Sequence, residues 1–102
     1  MKYFLCRFVP PAPDFIRTMT PDQKSLMKEH GEFLQRLLEK GNLVAHGPVA
    51  DPAGGWGMSL FVANDDQNAE DVQATVSDDP MIKAGIGARY DVLPMLQLRM
   101  RA

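Results

Sequence analysis

The segment from Thr20 to Gly41 constrains the fold of this chain more than any other. Thr20 is placed to cap a helix, and Pro21 suits the first helical position. Asp22 favours the positive end of the helix dipole, and Gln23 completes a capping box. Gly41 supplies a left-handed terminator, so the spacing predicts a helix that runs to Lys40. At ~100° per residue, Leu26, Met27, Phe33, Leu34, Leu37 and Leu38 share one arc, while Lys24, Lys28, Glu32, Arg36 and Glu39 lie opposite. A helix this long and this one-sided has to lay its apolar stripe on a second layer.

The flanking segments supply that layer as strands. Lys2 to Val9 is rich in aromatic and branched residues, and Pro10, Pro11 and Pro13 stop it and lead into an extended loop. Asn42 to Val49 reads as a second strand broken by Gly47-Pro48, and Trp56 to Ala63 as a third. The turn-dense Asp51-Pro52-Ala53-Gly54-Gly55 joins them. Ala69 to Ser77 makes a short helix. Asp79-Pro80 repeats the cap-then-proline signature and opens one turn that ends at Gly85 or Gly87. Arg89 to Leu98 is the last strand, which Pro94 demotes towards an edge.

The order β-α-β-β-α-β defines an α+β chain of ferredoxin-like type, an antiparallel sheet with two helices on one face. With 102 residues, the chain makes one domain, 1–102, with one modest core. Both faces of its strands are apolar: Phe4, Cys6 and Phe8 alternate with Tyr3, Leu5 and Val9, and Met58, Leu60 and Val62 with Phe61 and Ala63. Two helices cover one face, so a second copy of the chain is expected to cover the other, as a homodimer packed sheet to sheet.

Charge and cysteine usage exclude several classes of function. The 11 Lys and Arg against 13 Asp and Glu leave a net charge of −2 without a basic block, which argues against nucleic acid as a partner. No apolar run reaches the ~18 residues of a membrane span, so no membrane partner is expected either. The single cysteine, Cys6, rules out an internal disulfide and a cysteine-cluster metal site. With a strand pattern where a signal peptide would lie, the sequence points to a cytoplasmic protein.

His30 is the residue that the pattern singles out, because it falls in the middle of the apolar arc. There an imidazole loses hydration and needs a partner for each ring nitrogen. It is either a structural histidine bonded to a backbone carbonyl, or a general acid or base at the mouth of a pocket between helix and sheet. Asp79 has two roles open to it as well: it caps a short helix, or it accepts a proton bond from His30 and so fixes the tautomer. Asp78 is the neighbouring candidate. His46 fits a sheet-surface or interface position, and two histidines without ligand spacing do not make a metal site. Gly54-Gly55-Trp56-Gly57 is a hairpin turn rather than a phosphate loop.

An ordered set of motifs adds a family resemblance. The set comprises KYFLCRF (2–8), MKEHGEFLQRLLEKG (27–41), HGPVADPAGGWG (46–57), DDPMIKAG (78–85) and RYDVLPM (89–95). In this the chain resembles the YCII-related (YciI-like) proteins over nearly its whole length. The resemblance implies a dimeric α+β barrel similar to muconolactone isomerase-type barrels. It also implies an active site of a histidine and an aspartate, which fall on His30 and Asp79, and one branch of the family is linked to elimination of chloride from a hydroxylated aromatic.

Together these readings suggest a cofactor-independent enzyme of lyase or isomerase type. His30 would move a proton and Asp79 would orient it. The small, partly apolar, anionic substrate would be bound by Arg89, Gly47 and Pro48, with Arg89 or a backbone amide near Gly47 holding an oxyanion. The alternative is a dimeric module that binds a small ligand or a partner without catalysis.

Overall fold

The computed structural model describes residues 1–101. The strands are β1 (Lys2–Val9), β2 (Leu43–Val49), β3 (Trp56–Ala63) and β4 (Arg89–Pro94), and the helices are α1 (Phe15–Thr18), α2 (Pro21–Glu39), α3 (Ala69–Val76) and α4 (Pro80–Lys83). The strands form one antiparallel sheet in the order β2-β3-β1-β4, compatible with the ferredoxin-like arrangement. Among the described residues, no helix is long and apolar enough to cross a membrane.

The side chains of α2 and its flanking residues fix its ends. The Thr20 hydroxyl accepts from the Gln23 amide at 3.2 Å, and the Gln23 side chain accepts from the Thr20 amide at 2.9 Å. At the other end Gly41 takes φ +86°. The amide of Gly41 donates to Leu38 O and that of Asn42 to Leu37 O, which closes the carbonyl end as a Schellman motif. Thr20→Ala is therefore expected to lower stability by about 1 kcal/mol. An unchanged urea midpoint would mean that this cap does not hold the helix. Gly31 stands in the interior of α2, where glycine costs about 1 kcal/mol relative to alanine.

Strand alternation then decides which side chains meet the helices. Phe4, Cys6, Phe8, Phe61, Ala63 and Tyr90 are buried with Leu34, Leu37, Val72, Val76 and Met81 in one core. Their neighbours in register, Tyr3, Leu5, Val9, Met58, Leu60 and Val62, point to the opposite, half-open face. Phe61 is thus a core residue and Leu60 belongs to the open face.

Four details depart from the sequence reading. Phe15–Thr18 forms one helical turn within the segment expected to be extended, and its Phe15 is buried. Strand β2 runs unbroken through Gly47-Pro48, because it is an edge strand and Pro48 has no donor to lose on its outer side. Ser77 caps α3 rather than extending it, and β4 stops at Pro94 instead of Leu98.

Candidate functional site

The long helix delivers His30 into the core, where it is 7 % exposed, and the short α4 delivers Asp79, which is fully buried. The two residues, 49 apart in sequence, meet at 2.5 Å between His30 Nδ1 and Asp79 Oδ2. Tyr90 on β4 donates its hydroxyl to the same Oδ2, also at 2.5 Å, and the Met81 amide donates to Oδ1 at 2.9 Å. One carboxylate oxygen therefore caps α4 while the other holds the histidine. Both roles open to Asp79 in the sequence are filled at once. Three donors converge on this carboxylate, as a buried anionic group requires. Asp78 is exposed and lies 3.7 Å from Lys83, away from the histidine.

A carboxylate accepts only, so Nδ1 carries the hydrogen in this contact, and in the neutral ring the lone pair is on Nε2. Nε2 has no hydrogen-bond partner among the described residues, and it is not sealed in the interior. Phe8 stacks on the imidazole with ring centroids 4.2 Å apart, and Tyr90 meets Phe8 edge-on at 5.3 Å. The ring is thus held by a hydrogen bond on one nitrogen and an aromatic face below.

His30 lines a cavity of about 350 Å³ between α2, the sheet and the loop after β1. That volume lies at the small end of the ~300–1,000 Å³ typical of ligand pockets. Its walls include Phe8, Phe15, Ile16, Met27 and Leu34. The polar side chains among them are His30, His46 and Trp56, and the Trp56 indole N–H is engaged by Asp51 at 3.2 Å. Gly47 and Pro48 line the cavity.

Arg89, expected to bind an anionic substrate, is not brought to this cavity. It is exposed on the edge strand β4 and its Nε donates to Asp91 Oδ1 at 3.2 Å. Among the described residues, no lysine or arginine lines the cavity. The chain also groups no three His, Cys, Asp or Glu side chains suited to a metal ion among the described residues.

Sequence reasoning missed Tyr90 and Phe8. The alternation in β4 was the available signal, because Tyr90 pairs across the sheet with Phe8 and so shares its inward face. His46 faces α2, where its Nε2 lies 3.2 Å from Gln35 Oε1.

Two buried acids near the site hold their protons unusually tightly. Burial pushes the Cys6 thiol up from 9.0 to about 12. Burial, and then the negative charge of Asp79, push Tyr90 up as well from its ordinary 10.0. A raised folded-state value contributes stability that is complete below the unfolded value and lost as pH rises towards the folded one. Unfolding should therefore become easier above about pH 9, by up to roughly 1.4 kcal/mol per pH unit for each group. Urea midpoints measured from pH 8 to pH 11 check this, with Cys6→Ala flattening the early part of the fall. A flat profile would mean that neither proton is lost on unfolding.

The fold and the site define a class: a small α+β protein with a buried, carboxylate-held histidine that opens onto an apolar cavity. The sequence matches the family model of the YCII-related domain over residues 1–96, and the chain belongs to that family. A comparison with curated proteins finds no match.

Proposed function

We propose that this protein is a cofactor-independent enzyme of lyase or isomerase type that moves a proton on a small, largely apolar substrate. The observation that carries the proposal is the free Nε2 of a histidine whose other nitrogen is held by a buried carboxylate, at the wall of an apolar cavity. Nε2 takes the proton, and Asp79 supplies the countercharge that an imidazolium needs in a dry site. Among the described residues the cavity wall carries no lysine or arginine, which favours an uncharged substrate over an anionic one. Gly47 and Pro48 of β2 line the cavity, and a backbone amide beside Gly47 is the group offered to a developing oxyanion.

Deuterium incorporation from D2O into cyclic ketones and lactones, followed by NMR, tests the proposal. Wild-type protein should catalyse exchange, and His30→Gln should lose at least about 100-fold. Binding of these compounds without exchange would leave a ligand-binding module instead.

The active form proposed here is a homodimer closed through the open sheet face. Tyr3, Leu5, Val9, Met58, Leu60 and Val62 supply the apolar surface for it. Arg7 lies on the same face with its guanidinium 4.7 Å from the Trp56 ring and its Nε buried without a partner.

A further inference from the structure

We infer that Gly31 is the specificity-determining residue of the cavity, and that the space left by its missing side chain is where the bulk of the ligand lies beside His30. The inference rests on the proposed function and narrows it to a size filter on one residue. Met27, His30, Gly31 and Leu34 all line the cavity, and their spacing of i, i+3, i+4 and i+7 is one face of α2. Gly31 is thus the gap in an otherwise side-chain-bearing stripe, next in sequence to the proposed proton acceptor.

Neither backbone nor packing requires glycine there. Gly31 has no positive φ, unlike Gly41, Gly54, Gly85 and Gly87, and it sits in the interior of a regular helix. A Cβ built on it meets nothing within 4 Å. Gly57 shows the contrast, because its Cβ would press on Phe8 Cβ at 3.3 Å. An interior helical glycine with free space around it weakens its helix without helping any protein contact. What it provides is room: the residue is exposed, so the gap continues to solvent, and a side chain at 31 would project from the face that carries Met27 and Leu34. A methyl group at 31 would fill part of the cavity where a ligand must lie to reach Nε2, and an isopropyl group would fill more.

The test uses two uncharged probes of different width, phenol and 1-naphthol, titrated into wild type, Gly31→Ala and Gly31→Val. Binding is read from the NMR signals of the His30 ring and of the Trp56 indole, the single tryptophan of the chain and a cavity residue. Wild type should bind both probes. Gly31→Ala should keep phenol and weaken 1-naphthol about tenfold or more, since one methyl group in a pocket changes binding by roughly 10–200-fold. Gly31→Val should lose 1-naphthol. Gly31→Ala should also melt higher, by roughly 4–8 °C, which separates lost room from a damaged fold. If both variants bind the two probes as wild type does, Gly31 does not set specificity. If wild type binds neither probe, the cavity is not a site for uncharged ring compounds, and the proposed function falls together with this inference.

Discussion

Asp79→Ala is expected to be among the most damaging single substitutions in this protein, at about 4 kcal/mol or more of stability. It removes the acceptor for the His30 ring, the Tyr90 hydroxyl and the Met81 amide together. Each buried donor left without a partner costs roughly 1–3 kcal/mol, and a domain of this size has only about 5–15 kcal/mol in total. Asp79→Asn should be milder. It retains an oxygen for the Met81 amide, but it offers an amide where two donors now converge. Urea denaturation of both variants measures the difference. A loss below about 1 kcal/mol for Asp79→Ala would show that water or a rearrangement satisfies these donors, and the site would not be built as described.

Leu60→Lys is the second large effect, and it acts on association. In a lone chain Leu60 is only half-buried on the open face, so a lysine there can reach water and costs little. In a sheet-to-sheet dimer the same ammonium is buried without a partner, which costs roughly 3–5 kcal/mol. Sedimentation at micromolar concentration should therefore find wild-type dimers and Leu60→Lys monomers. If the two proteins sediment alike, the open face is not the dimer interface.

Elements bounded by their own side-chain chemistry were legible in the sequence. The Thr20–Gln23 box and Gly41 mark α2 to within a residue, and β1 and β3 end where their alternation ends. The single turn α1 was not, because four residues without a capping side chain leave no local signature, and the burial of Phe15 that anchors them is a tertiary effect. Nor was the passage of β2 through Pro48, since a proline reads as a break unless the strand is known to lie at an edge. The site was half legible. His30 stood out by polarity on an apolar stripe, and the resemblance to YCII-related proteins pointed to Asp79. No spacing rule joins residues 49 apart, and Tyr90 looked like one more strand aromatic until the register placed it opposite Phe8.

The shared oxygen of Asp79 also ties the site to the way this chain opens locally. Its four parts come from β1, α2, the cap of α4 and β4, and so from residues 8 to 90 of the chain. A partial structure that lacks the last strand has no finished site. Strand β4 is an edge that pairs only with β1 among the described residues, so its detachment is one route for sub-global opening. If β4 peels away, Tyr90 leaves Oδ2 and the aromatic edge on Phe8 goes with it, so Asp79 and His30 lose part of their enclosure. The geometry of His30, Asp79 and Tyr90 is therefore tied to the opening free energy of one edge strand rather than to the global stability of the domain.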